Sequence, residues 1–339
     1  MTTLITGATG FIGWHVTRLL TSRLGAIRVL VRPTSRQGVL ENLPVQFVHV
    51  DLRDEASLRK AVEGVRQVFH VAADYRLWAK NPAEIYESNV GGTRNLVEAC
   101  RRAGVERFIY TSSVATIAPP PEGCLADEST ETRLDQIIGH YKRSKFLAER
   151  QVLEAARGGF PAVIVNPTMP VGPGDWKPTP TGRVILDFLN GRMPAYVETG
   201  FNVVAVEDVA EGHWLAAQHG RVGERYILGG RNLTLKQMLD ILAEATGRPA
   251  ASVRLPHVVP LVAGYLENAV SSMLGREPRI PLEGVRMSRY KMFVDSSRAE
   301  RELGFRAGSI EAALARAAEY YIRNNYVRGL RPLAAGVRS

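Results

Sequence analysis

The chain has 339 residues, 45% hydrophobic and 23% charged, enough to bury a sizeable core in one large or two smaller domains. Its net charge of +9 is spread along the chain and never interleaves a basic run with aromatics, which argues against a nucleic-acid partner and for anionic small molecules. Two cysteines, Cys100 and Cys124, suit a reducing cytoplasm better than a disulfide scaffold, and with seven scattered histidines they offer no metal-ligand spacing.

The first element, TLIT (3–6), reads as a buried strand rather than part of a signal peptide, and runs straight into GATGFIG (7–13). In that loop Gly7 permits a tight turn, Gly10 lets backbone N–H groups approach a pyrophosphate, and Gly13 allows close helix–strand packing. Thr9, Phe11 and Ile12 complete the stretch expected to face the phosphates, at the positive N-terminus of a helix over 11–24. A second strand, IRVLV (27–31), ends in Arg32, with Arg36 close behind. NAD sites place an acid there for the ribose 2′-hydroxyl, whereas a guanidinium grips a 2′-phosphate. NADP(H) is therefore favoured over NAD(H).

The third strand, VQFVHV (45–50), is closed by Asp51 and Leu52, where the carboxylate either meets an adenine amino group or caps the next helix, near 54–63. QVFHVAA (67–73) ends in Ala72 and Ala73, small enough to let a cofactor lie across the strand ends or simply to pack closely. A helical pattern spans 82–103, and RFIYTSS (107–113) follows as a strand with hydroxyls at its end. Continuous apolar strands alternating with helices predict a parallel sheet covered on both faces.

In GHYKRSKFLAE (139–149), Tyr141 and Lys145 stand four apart on a predicted helix and so share a face. Composition alone predicts only ~0.2 such pairs, and the chain has one. A phenol near pKa 10 is a poor proton donor or acceptor at neutral pH; an adjacent ammonium favours the phenolate and moves it toward the working range. A hydroxyl in 111–113 is placed to polarise a substrate oxygen.

PAVIVNP (161–167) reads as a further buried strand closed by Pro167. Residues 168–182, rich in Pro and Gly, form a functional loop or the entrance to a smaller domain. Asp175, Trp176, Lys177 and Arg183 are its candidates for substrate contact, or an ordinary surface loop. Residues 201–218 and 224–230 look like a strand–helix–strand return to the sheet. The apolar run 258–274 is broken by Pro260, Glu267 and Asn268, too interrupted to span a bilayer, and reads as a core or interface helix rather than a membrane-surface one. A basic tail from about 326 is expected to fray.

A glycine loop on the first strand, serines ending the fifth and Tyr-x-x-x-Lys on the next helix, with NVGGT (89–93) and VDSSRAERELGF (294–305), resemble the extended short-chain dehydrogenase/reductases. The resemblance covers nearly the whole chain. It implies a Rossmann-type doubly wound parallel sheet (1–167 plus 201–229), a smaller C-terminal substrate domain (168–200 plus 230–325) and the tail (326–339). It also implies Tyr141 as general acid/base, Lys145 holding the nicotinamide ribose, and Ser113, rather than Ser112, as the catalytic serine. Asn89 would support the helix or a proton path, and Pro167 and Thr168, with Asn166, would line the nicotinamide.

Residues 70–86, 138–149 and 166–183 look like the bacterial hopanoid-associated sugar epimerases, close to the dihydroflavonol 4-reductases. The Val-Tyr-Gly that sugar-nucleotide members commonly carry after the serine is replaced by VATIAPPP (114–121). The implied activity is hydride transfer between nicotinamide and a sugar-like or polycyclic secondary alcohol or ketone. Epimerisation on retained NAD is the alternative, and a non-catalytic dinucleotide sensor, expected to lose Tyr or Lys, is a third. A cytoplasmic enzyme, with a helix-packed homodimer as a possible assembly, completes the expectation.

Overall fold

Most of the strands are apolar because both of their faces are covered; the edge strand at 45–49 leaves Gln46 and His49 exposed. In the computed structural model, which describes residues 2–274 and 282–327, β1 (Thr3–Thr6), β2 (Ile27–Val31), β3 (Val45–His49), β4 (Gln67–His70), β5 (Arg107–Thr111), β6 (Ala162–Pro167) and β10 (Arg225–Leu228) form one sheet. Its order is β10-β6-β5-β4-β1-β2-β3, and every pairing is parallel. Side chains alternate between two cores with the two-residue period of a strand. Leu4, Val68, Phe108 and Ile164 enter one, while Ile5, Phe69, Ile109 and Val163 enter the other.

The first core is closed by α2 (Glu55–Ala61), α4 (Gly92–Arg102) and α5 (His140–Arg157), through Leu58, Leu96 and Val152. The second is closed by α1 (Phe11–Leu24), α7 (Val206–His219) and α11 (Ser297–Leu303), through Val16, Leu20, Val209 and Leu303. Each such side chain taken out of water is worth roughly 1.5–3 kcal/mol, which makes the alternation a strong determinant of register. A short α3 (Ala83–Tyr86) leads through a π-turn (Glu87–Gly91) into α4.

The return to the large sheet differs from the sequence expectation. Helix α7 and strand β10 do return, but β9 (Gly200–Ala205) lies in a second sheet, pairing with β7 (Met169–Val171), β11 (Arg231–Thr234) and β13 (Lys291–Met292). Its alternate residues look two ways: Val204 joins the large sheet's second core, and Val203 and Ala205 join a third. An apolar run reports burial on both faces, not which sheet buries it. The third core also holds α6 (Pro180–Leu189), α8 (Leu235–Thr246) and α12 (Ile310–Arg323). β8 (Ala195–Val197) pairs with β12 (Val253–Leu255), and α9 (Val258–Met273) packs on α10 (Leu282–Met287).

Helix α9, expected as a core or interface helix, is not a core helix: Val258, Val262, Leu266, Val270 and Met273 are exposed. Among the described residues, no helix is long and apolar enough to cross a membrane. Of the basic tail, residues 328–339 lie outside the described residues.

The sheet's connectivity reverses between β1 and β4, which opens a crevice at their carboxyl ends. Gly7, at φ +74°, turns there against the chain after β4: a Cβ on it would stand 2.6 Å from the Ala72 nitrogen. A Cβ on Gly13 would stand 2.0 Å from the Gly7 carbonyl oxygen. A Cβ on Gly10 would meet only that oxygen, at 3.3 Å. Gly13→Ala should therefore cost about 1–3 kcal/mol of unfolding free energy in a denaturant titration, as overpacking does. Gly10→Ala should stay within about 0.5 kcal/mol of wild type in the same assay.

Candidate functional site

The crevice is built from backbone at one end and from side chains at the other. At the glycine end, α1 starts at Gly10 with no side-chain cap and no acid in its first turn, so its first N–H groups face the crevice unclaimed by a cap. The space outside Gly10 is the cradle a Cβ would begin to fill, and this combination fits a pyrophosphate. Phe11 is buried and Ile12 packs against the second core, so the two offer the crevice their backbone rather than their side chains; Thr9 is half-buried. Ala72 donates its N–H to Thr6 Oγ1 at 3.1 Å, which ties the ends of β1 and β4 together, with half-buried Ala73 next in the chain.

Arg32 is exposed at the end of β2 and pairs with no carboxylate among the described residues, although its charge reaches both Asp51 and Asp74. Asp51 is not a helix cap; Asp54 caps α2, accepting from the Ala56 and Ser57 nitrogens. Instead Arg53 takes both oxygens of Asp51, at 3.0 and 2.6 Å, and holds the carboxyl down at about 2. Leu52 packs sideways against the first core, and its carbonyl accepts from Asn95 at 3.2 Å.

At the other end, α5 begins at Gly139, whose φ of +95° suits glycine, and carries Tyr141 and Lys145 down one face. Tyr141 lies beside Ser113; burial lifts its phenol to about 12, with Ser113 pulling it down and the field of Tyr75 pushing it up. Ser113 also accepts from the Ala115 nitrogen at 3.1 Å as the cap of a 3-10 turn. Ser112 is buried, and its hydroxyl has no partner among the described residues.

The Lys145 ammonium turns to β5. Lys145 is almost fully buried and donates to Tyr110 OH at 2.9 Å and to the Thr111 carbonyl at 2.6 Å. Burial brings its ammonium down to about 7, opposed by the charge of Glu149. Two of its three donors are thus used on β5, leaving one.

Asn89 accepts from the Asp74 nitrogen at 2.7 Å and donates to the Asp74 carbonyl and to Ser144, both at 2.9 Å. That arrangement clamps the π-turn to α5. Pro167 ends β6 opposite Leu228, and Thr168 donates its N–H to the Leu228 carbonyl at 3.2 Å.

The loop after β7 divides its candidates. Asp175 is buried and accepts from the Thr179 nitrogen, the Thr179 hydroxyl and Tyr321 OH, so it anchors the loop rather than facing a substrate. Trp176 meets Trp14 edge-on at 6.1 Å on α1, and its carbonyl accepts from Tyr326 OH. Lys177 is exposed, and Arg183 lies near enough to Tyr75 for its charge to act on that phenol.

Several supports escape a motif search. Glu149, one helical turn beyond Lys145, accepts from Thr116 Oγ1 (3.0 Å), Asn166 Nδ2 (2.7 Å) and Arg225 (3.1 Å), joining α5 to β6, β10 and the turn that carries Ser113. Its spacing after Lys145 was a usable signal; Tyr75 and Tyr110 gave none beyond proximity to Ala73 and the serines.

Residues 3–229 match the model of the NAD dependent epimerase/dehydratase family. The chain belongs to that family. It is an extended short-chain dehydrogenase/reductase, in a family of NAD(P)-dependent reductases and epimerases. It is 45% identical to a dihydroflavonol 4-reductase-like protein of Synechocystis over 96% of this chain and 95% of that one. It is 36% identical to sterol demethylase protein B of Methylococcus capsulatus, over 95% and 98%. The crystal structure of gox2253 superposes with a TM-score of 0.87 at 44% identity, covering 96% of this chain and 99% of that one.

Two buried histidines support the site from below. His70 bonds Thr6 (2.7 Å) and Thr93 (3.0 Å), and His213 bonds Thr111 (2.8 Å) and the Val209 carbonyl (2.7 Å). Burial lowers them from 6.5 to about 3 and about 4. Their folded pKa values lie below the unfolded ones, so the unfolded chain binds the extra protons. The stability they support is full above pH 6.5 and is lost as pH falls toward 3–4. His213→Gln should flatten the stability–pH slope between pH 6 and 5 by about 1 kcal/mol per pH unit, read from denaturant titrations. An unchanged slope would mean that His213 takes up its proton without leaving its place.

Proposed function

We propose that the protein reduces a ketone on a sugar-like or polycyclic substrate with NADPH, or runs the reverse oxidation. The observation that carries the NADPH assignment is Arg32, exposed at the end of β2 with no carboxylate partner among the described residues and so available to a 2′-phosphate. The cofactor, when bound, supplies or accepts the hydride. Gly7, Gly10 and Gly13, with the first turn of α1, receive its pyrophosphate, and Ala72, Ala73, Pro167 and Thr168 line its path. Asp51 sits at the adenine end with both oxygens already held by Arg53.

Tyr141 gives its phenolic proton to the substrate oxygen, and Ser113 steadies that oxygen through its hydroxyl. Lys145, with one donor unspent, binds the nicotinamide ribose. Segments 168–200 and 230–325 hold the substrate, and Arg183, near Tyr75, is the residue of the 168–183 loop best placed to meet it. Likeness to a dihydroflavonol 4-reductase-like protein and to sterol demethylase protein B supports a polycyclic substrate. A cytoplasmic setting fits the two free thiols, Cys100 and Cys124.

Nucleotide released from the denatured protein should be absent or scarce, and the empty protein should bind NADPH at least tenfold more tightly than NADH. Arg32→Ala should remove about tenfold or more of that preference, the worth of a charge-assisted bond to phosphate. Tightly retained NAD⁺ would make the sugar epimerase the better reading, because that reaction keeps its oxidised cofactor and uses the same side chains. In either case Tyr141→Phe should lower turnover by about 10²–10⁴ while cofactor affinity stays near wild type. Retained activity would sink the assignment of Tyr141.

A further inference from the structure

Helix α9 is amphipathic the wrong way round. Its inward positions include Gly264 and Ser271, whereas Val258, Val262, Leu266 and Val270, each one helical turn beyond the last, face outward. Tyr265 and Met273 widen the stripe; Met273 is 88% exposed and Leu266 is 64% exposed. A helix on a soluble protein buries its apolar face, and a continuous exposed stripe marks an interaction surface.

The charges beside the stripe indicate what covers it. Arg286, on α10, lies over the Tyr265 ring at 5.6 Å and donates to its hydroxyl at 2.9 Å. Arg289 is exposed just beyond α10, and no carboxylate among the described residues pairs with either arginine. The nearby acids turn the other way: Glu267 accepts from Ser271 of the inner face at 3.2 Å, and Glu283 faces the start of α5, beside Gly139. An apolar stripe bordered by a tyrosine and unpaired arginines is the pattern of a helix lying in a lipid interface.

We propose that the outward face of α9 seats on an anionic lipid surface. Val262 and Leu266 enter the boundary between headgroups and acyl chains, and Arg286 and Arg289 lie among the headgroup phosphates. A second copy of the chain fits this face less well, because two-fold pairing would bring two sets of unpaired arginines together on a protein of net charge +9. The same hairpin connects to the chemistry. Gly264 packs on Val285 and Leu282 of α10, and Glu283 and Met287 of α10 contact Gly139 and Lys142 on either side of Tyr141. The lipid surface would thus lie one helix away from the start of the catalytic helix.

The test is flotation of the full-length protein with phosphatidylcholine vesicles, with and without phosphatidylglycerol. Binding should be at least ~tenfold stronger to the anionic vesicles and should weaken with salt. The double variant Val262→Glu/Leu266→Glu should lose ~tenfold or more of it while keeping its melting temperature, NADPH affinity and mass in solution. Arg289→Ala should lower binding to anionic vesicles alone. Failure of the wild type to bind, or equal binding by the double variant, overturns the proposal. A fall in the mass of the vesicle-free protein on introducing the two glutamates would overturn it too, assigning the stripe to a second copy. None of these readouts depends on turnover, so failure here would leave the NADPH reading standing.

Discussion

One buried ammonium organises the chemical end of the crevice. Lys145 has almost no contact with water, and an ammonium in that position is costly unless its protons are taken. Tyr110 OH and the Thr111 carbonyl take two of them, which fixes α5 against the end of β5. Because the same helix carries Tyr141, the phenol inherits that placement and meets Ser113 on the turn that continues β5. Glu149 completes the arrangement from below, balancing Arg225 and the polar hydrogens of Thr116 and Asn166. Removing any one of these groups leaves another polar or charged group buried without its partner.

The two ends of the crevice use different materials, and this decides how much can be read from sequence. At the glycine end the shape is set by backbone, so the requirement is for missing side chains at fixed spacing; Gly7, Gly10 and Gly13 display it openly. The alternation of apolar strands with helices is equally visible, because burial on both faces forces continuous apolar runs. Tyr141 and Lys145 stand out because a helix brings residues four apart onto one face. All of these are local signals.

What escaped was set by contacts distant in sequence. Nothing near Lys145 announces that Tyr110, 35 positions away, accepts from its ammonium. Asp175 looks like a loop residue facing substrate until Tyr321, 146 positions away, is seen donating to it. β9 has the composition of a large-sheet strand because it is buried on both sides, but its partners are β7, β11 and β13. For α9 the apolar run was legible, but an apolar stripe does not say whether protein or something else covers it.

The protonation states give the site a direction. Burial keeps the Tyr141 phenol protonated through the physiological range, so the side chain is loaded as an acid. Donation to a ketone oxygen needs only that state, whereas abstraction from an alcohol needs the phenolate. Lys145 keeps its ammonium on β5, brought down to about 7 by burial. A positive charge brought close to Tyr141, such as an oxidised nicotinamide, would lower the phenol toward the working range. By linkage, the phenolate in turn tightens binding of that positive charge. On the proposed reading, a reduced cofactor would lack that charge and leave the phenol protonated, the state that donation to a ketone oxygen needs.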